Sequence, residues 1–377
     1  MRNSKIIIIG GGLAGLTAGI HLSKKGVSVV IVEKNDYPKH KVCGEYLSNE
    51  VLPYFEWLDL NLSSLNPVNI NEIELSTKKG TTIKTKLPLG GLGISRYELD
   101  FYLYKKALFY GCKILNEEVE NIYFEKNRFS VTTSNNTLLI ADFVIGAFGK
   151  RSNIDLRLNR NFIQQKSPWL AVKGHYSLNF PNDIVGLHNF NGGYCGVSKV
   201  ENNVVNICYL AKYKSFKEYK NILDFQNLVI IQNPHLNKLF NNATLLFEKP
   251  LTISQISFAE KLQIENHILM VGDTAGLIHP LCGNGMAMAI HSAKLVSELI
   301  IDYTSNAIKT RMELEKQYQK NWSSNFEKRL KFGRILSKIL LQPTLSEIMM
   351  RIIIMFPFAL KAIIKKTHGK PITINEH

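Results

Sequence analysis

A glycine-rich turn near the start of the chain constrains its fold more than any other feature. Ile6 to Ile9 form an unbroken run of β-branched residues, as in a parallel strand covered on both faces. The run leads directly into Gly10-Gly11-Gly12-Leu13-Ala14-Gly15. Leu13 to Lys25 then has helical spacing, Gly26 stands where a left-handed cap is needed, and Val27 to Val32 reads as a second strand. In this setting Gly10 permits the tight turn and Gly12 lets backbone approach a pyrophosphate. Gly15 lets the helix pack on the strand while its N-terminus, from Leu13 and Ala14, faces the phosphates. Glu33 ends the second strand, where a carboxylate accepts hydrogen bonds from ribose hydroxyls, and Lys34 follows it. The unit predicts a dinucleotide site. Residues 6–23 lack charge, but their glycines and the following strand argue against a signal peptide or a membrane span.

A second glycine-rich stretch selects the dinucleotide. Residues 272–290, GDTAGLIHPLCGNGMAMAI, follow a short strand pattern from His267 to Val271. They resemble the second FAD fingerprint of the flavoprotein family that includes para-hydroxybenzoate hydroxylase and the geranylgeranyl reductases. The resemblance implies that Gly272 and Asp273 meet the ribityl chain and that Pro280 lies beside the isoalloxazine ring. It also implies that Gly283, Asn284, Gly285 and Met286 open a helix facing the pyrimidine end, where a helix N-terminus stabilises negative charge on reduced flavin. SRYELD, residues 95–100, resembles the family's Arg-containing segment and marks Arg96 as an FAD contact. KVCGEYLS, residues 41–48, resembles the geranylgeranyl-reductase loop near the flavin and brings in Cys43 and Glu45. The likeness covers approximately residues 1–300. It departs from the family at Phe148, where Asp-Gly is usual, and at GGYCGVSKV, residues 192–200, where only Tyr194 remains of the reductase motif.

The predicted fold class is α/β: a Rossmann-like FAD-binding domain, an antiparallel-sheet substrate domain and a helical C-terminal region. The FAD domain is expected from residues 1–66, 95–155 and 266–304, and the substrate domain from 67–94 and 156–265. Residues 96–110 read as a helix, 118–124 and 128–133 as a hairpin, and 168–210 as strands separated by turns. From 305 to 377 the pattern is helical, with breaks near Pro343 and Pro357.

The flavin would supply the redox chemistry and the protein position and proton supply. One reading is reduction of a carbon–carbon double bond in an apolar isoprenoid, polyene or lipid-like substrate. The other readings are monooxygenation of an aromatic or polyketide-like substrate, and electron transfer to a protein. The paired-tryptophan motif of flavin halogenases is absent from the sequence. Cys43, Glu45, Tyr194 and His279 are the catalytic candidates, while Lys173 and His175 alternate onto one face of a strand. FAD is expected to be noncovalent, since backbone amides and carboxylates dominate both fingerprints, with NAD(P)H a candidate electron donor. The five cysteines contain no CxxC pair and the ten histidines no ligand spacing, so a reducing, cytoplasmic setting and no metal are expected. The net charge of +15 is concentrated late, with 14 Lys/Arg against 6 Asp/Glu over 301–377. No nucleic-acid motif accompanies it. Residues 339–366 mix large apolar side chains with cations, which suggests either helices packed on the substrate domain or contact with a membrane surface or acyl carrier. Oligomeric state is not legible.

Overall fold

The computed structural model describes residues 4–219 and 221–374. The first strand run is the middle of a six-stranded sheet. Its order is Ile264–Glu265, Ile268–Met270, Phe143–Gly146, Lys5–Ile9, Ser28–Val32 and Lys113–Leu115. All neighbours are parallel except the Ile264–Glu265 edge, and Ile7 pairs with both Val144 and Val30. Ile6 to Ile9 are at most 3% exposed, which explains why this strand is apolar on both faces. Six helices matter below: α1 (Leu13–Lys24), α2 (Arg96–Phe109), α3 (Gly285–Thr304), α4 (Arg311–Leu340), α5 (Pro343–Met355) and α6 (Pro357–Thr367). The first packs against both the second and the third, so both glycine turns sit on the same helical layer.

A second sheet of nine strands carries the remaining wall of the molecule. It runs Thr244–Leu245, Trp169–Ser177, Val205–Lys212, Gly193–Lys199, Ile184–Phe190, Val68–Ser76, Thr82–Gly93 and Tyr46–Ser48, with Leu251–Ser254 added to Trp169–Ser177. It is antiparallel apart from the pairing of Ile184–Phe190 with Val68–Ser76. Two details differ from the sequence reading. Tyr46–Ser48, expected with the first layer, is an edge strand here, paired with Gly91 to Gly93. The hairpin of Val119–Glu125 and Arg128–Thr133 gains a third strand, Leu138–Ala141, making a separate small sheet.

The C-terminal helices join the main core. Leu314, Tyr318, Trp322, Phe326 and Leu330 recur every four residues on α4, and all five are buried in the cluster that holds Ile6 to Ile9. The Tyr318 hydroxyl donates to the Met270 carbonyl. Trp322 covers Gly276 so closely that a Cβ there would lie 2.9 Å from its ring, which is why glycine occupies this point of the 272–285 loop. Beyond α4, the buried faces of α5 and α6 cover the second sheet through Ile353, Leu360 and Ile364 against Ile70, Ile73 and Leu87. The chain then returns to the first layer, where the Ile372 amide donates to the Glu50 carbonyl at 2.7 Å.

The packing of α4 makes Trp322→Ala a direct probe. Deleting this 4%-exposed ring should lower the unfolding free energy by about 3–5 kcal/mol in urea titration with an unchanged m-value. A loss under about 1 kcal/mol would mean that α4 is only a surface cover.

Candidate functional site

Both glycine turns open on one cavity of about 600 Å³, within the usual range for small-molecule and cofactor sites. At Gly10, with φ +104°, a Cβ would strike the Ala147 carbonyl, and at Gly15 it would strike the Gly10 carbonyl oxygen. These two residues let strand and helix meet. Gly12 differs: its Cβ would project into the cavity, 3.8 Å from Arg96 Nη2 and 4.0 Å from Lys41 Nζ. Bare backbone therefore faces open space between two cations at the N-terminus of α1. Glu33 closes one side of this region. Its Oε2 accepts the Gly11 amide at 2.7 Å, and its Oε1 accepts the Asn35 amide at 3.0 Å and Nδ2 at 2.6 Å. A carboxylate has about four acceptor positions, so capacity for a hydroxyl remains. On the facing side, Gly272, with φ +58°, packs against Ala14 and donates its amide to Ser292 Oγ at 2.8 Å. Gly283, with φ +61°, turns the chain into the 20-residue α3. Two helix N-termini, a fixed carboxylate and a side-chain-free approach fit the phosphates and ribose of FAD.

The cations at Gly12 share one carboxylate. Arg96 donates twice to Asp100, Nε to Oδ1 at 2.7 Å and Nη2 to Oδ2 at 2.8 Å, and Lys41 Nζ adds a bond at 2.9 Å. Burial alone would raise the Asp100 pKa, but the Arg96 and Lys41 charges hold it below the usual carboxylate range. Two positive charges against one negative leave a net charge of one beside the point where phosphate would enter. Lys41 and Asp100 stand in the segments KVCGEYLS and SRYELD, but the sequence reading singled out only Cys43, Glu45 and Arg96 there, because the pairing of Lys41 with Asp100 spans 59 residues.

Beyond this region the wall changes chemistry. Gly10, Gly12, Leu13, Ala14, Glu33, Lys34, Cys43, Glu45, Arg96, Tyr194, Gly272, Asp273, Pro280, Gly283, Asn284, Gly285 and Met286 all line the cavity. They are joined by Val42, Ala171, Leu210, Ile253, Ile256 and Leu277 from the loop and second-sheet side. Gly15 lies behind the turn and supports it. Glu45 adopts φ +54° and is fully buried. Lys173 Nζ donates to Oε1 at 2.5 Å, His175 Nε2 lies 2.7 Å from Oε2, and the Arg96 amide donates to Oε1 at 2.8 Å. Burial pushes the Glu45 pKa up, yet the His175 hydrogen bond and the Lys173 charge outweigh it and keep the carboxyl ionised below its ordinary value. Alternation had put Lys173 and His175 on one strand face; the structure supplies the carboxylate they meet.

Cys43 is half-buried on the cavity wall, its Sγ accepting the Glu45 amide at 3.4 Å and its carbonyl accepting Asn206 Nδ2 at 3.2 Å. Tyr194 is 3% exposed, and burial holds its phenol well above the ordinary value. His279 does not line the cavity, which corrects its place among the catalytic candidates. Its ring packs among Trp169, Tyr194 and Phe258, and burial lowers its pKa to about 3, so it stays neutral. Where the family has Asp, Phe148 leaves its neighbour to act through backbone: the Gly149 amide donates to Thr274 Oγ1 at 2.8 Å. Histidine spacing also hid one cluster away from this cavity. Glu74, His188 and His235 place candidate ligand atoms within 4.8 Å of one another, with Ser76 beside His188 and Thr82 beside His235.

Comparison with known proteins agrees with this geometry. The FAD binding domain family matches residues 3–174. The chain is 24% identical over 348 residues to digeranylgeranylglycerophospholipid reductase 2 of Methanothermobacter thermautotrophicus, covering 88% of this chain and 87% of that protein. It is 27% identical over 206 residues to the FAD-dependent monooxygenase ltmM of Epichloe festucae, covering 48% of this chain and 43% of that one. A flavin-dependent brominase, Bmp2, shares the fold, with TM-score 0.79 and 15% identity over 97% of this chain and 93% of its own.

The buried Glu45 cluster yields a stability test. Glu45→Gln leaves the Lys173 ammonium buried without a carboxylate, and should lower unfolding free energy at neutral pH by about 3–5 kcal/mol. Adding Lys173→Met should recover more than half of that loss. Since the folded-state pKa of Glu45 is depressed, its contribution is complete above about pH 4.3, the free carboxyl value, and is lost as pH falls through the folded value. The double variant should lack this part of the acid limb in urea titrations across pH. Wild-type stability in Glu45→Gln would contradict the ion cluster.

Proposed function

The chain is an FAD-dependent oxidoreductase of the flavoprotein superfamily that holds geranylgeranyl-type reductases and FAD-dependent monooxygenases, and on that premise we propose that it reduces a carbon–carbon double bond in an apolar, isoprenoid- or lipid-like substrate. One observation carries the reading. The wall opposite the glycine turns is built from Val42, Ala171, Leu210, Ile253, Ile256 and Leu277, while the buried carboxylate Glu45 is paired with the Lys173 ammonium and hydrogen-bonded to His175. Burial of an apolar chain against these side chains contributes roughly 25 cal/mol per Å². The reductase relative also spans most of this chain, whereas the monooxygenase relative matches about half.

Bound and reduced, FAD supplies a hydride. The chain's own residues position the two partners and manage the proton. Gly12, Arg96 and Lys41 would hold the phosphates, Glu33 the adenosine ribose, and the N-terminus of α3 the pyrimidine end. The apolar wall excludes water from the reacting carbons. Cys43 Sγ is the proposed proton source: it would give its thiol proton to the alkene carbon that does not receive the hydride. The Glu45 amide, which donates to Sγ at 3.4 Å, orients this sulfur on the cavity wall. Tyr194, with its raised pKa, shapes the pocket and keeps its own proton.

The test is anaerobic reoxidation of chemically reduced holoprotein by polyprenyl, polyenoyl and aromatic compounds, with product masses recorded. A gain of two hydrogens on an apolar polyene is expected, and Cys43→Ala should slow that step by about 10²-fold or more while FAD affinity stays unchanged. A product carrying one added oxygen, formed only in air, would replace this reading with monooxygenation. Turnover confined to small hydrophilic compounds would overturn the substrate class.

A further inference from the structure

Helix α5 is apolar on two opposite faces. Ser346, Met350 and Ile353 are at most 3% exposed; Ile353 packs on the second sheet, and Ser346 Oγ accepts from Asn189 Nδ2 of that sheet at 3.3 Å. Leu345, Ile348, Ile352 and Met355 recur at helical spacing on the outside and are 42–72% exposed, and Phe356 and Phe358 continue this surface at 47% and 71%. Of the 22 large apolar side chains that are exposed among the described residues, eight fall between 335 and 358. A contiguous exposed apolar patch on a helix already packed on its other face marks an interaction surface.

Charge selects what covers it. Between residues 338 and 370 there are six Lys/Arg and a single acidic residue, Glu347. Lys361, Lys365 and Lys366 are exposed on α6, directly after the phenylalanines. Lys365 also lines, with Arg329 and Lys370, a cavity of about 740 Å³. An apolar strip bordered by cations matches the boundary of a bilayer with anionic headgroups, where acyl chains accept the aromatics and phosphates face the ammonium groups. Among the described residues no helix is long and apolar enough to cross a membrane, so contact would lie in the plane of the interface.

We propose that the outer face of α5 and α6 docks on an anionic lipid bilayer, with Met355, Phe356 and Phe358 entering the headgroup boundary and Lys361, Lys365 and Lys366 facing lipid phosphates. The surface is independent of which substrate is reduced, and its test needs no turnover. Holoprotein is sedimented with vesicles of phosphatidylcholine alone or of phosphatidylcholine with phosphatidylglycerol, at low and high salt. Binding is expected to the mixed vesicles and to weaken with salt. The partition coefficient should fall at least about tenfold in Phe356→Ser/Phe358→Ser and in Lys361→Glu/Lys365→Glu/Lys366→Glu, with melting temperature and bound-flavin absorbance retained. Absence of binding to the mixed vesicles, or binding as strong as wild type in both variants, would overturn the proposal. So would a concentration-dependent dimer abolished by the phenylalanine substitutions, which would give this face to a second copy of the chain.

Discussion

The functional half of this protein depends on how closely bare backbone can approach at the carboxyl edge of the parallel sheet. Gly10 lies against the Ala147 carbonyl and Gly15 against the Gly10 carbonyl, so the first strand, the strand Phe143–Gly146 and α1 converge without side chains between them. The Gly10 amide donates to Val32 and the Ala147 amide to Ile9, each at 2.8 Å, locking the turn to both neighbouring strands. Only then does Gly12 project nothing into the cavity, and only then does the N-terminus of α1 point at it. Glu33, α3 and the Arg96–Asp100–Lys41 cluster are placed relative to that turn.

A second constraint is electrostatic. An apolar wall beside a charged site makes an unpaired buried carboxylate costly. Glu45 sits at the junction, in a left-handed conformation, with Lys173 and His175 behind it and the Arg96 amide in front. The same residue therefore links the FAD-facing α2 to the second sheet. The amide of Glu45 also reaches Cys43, so the ion cluster positions the sulfur on the cavity wall. Meanwhile α4 ties the second glycine loop to the core through Trp322 and Gly276.

Local features of this architecture were legible in the sequence, and distant ones were not. The glycine spacing, the β-branched strand and the cap at Gly26 each depend on residues within one turn or strand, and they specify strand, helix and cavity edge together. Alternation was enough to put Lys173 and His175 on one face. Their partner Glu45 is 128 and 130 residues away, and no local pattern signals that approach. Tyr46–Ser48 is only three residues long, too short for periodicity to assign it to the second sheet. His279 stands beside Pro280 in sequence, but the turn sends its ring into an aromatic cluster rather than the cavity. The apolar and basic character of 339–366 was evident, whereas its division into a sheet-facing and an outward face required the packing of α5.

The central claim is that the unobstructed Gly12 turn admits FAD, held without a covalent bond. It is tested most directly by titrating FAD into apoprotein of wild type and Gly12→Val, with circular dichroism and thermal melting recorded on the same samples. The added Cβ makes only ordinary contacts, 3.8 Å from Arg96 Nη2 and 4.0 Å from Lys41 Nζ, so fold and melting temperature should be retained while FAD affinity falls at least about tenfold, or about 1.4 kcal/mol. Unchanged affinity in a folded Gly12→Val protein would contradict the account.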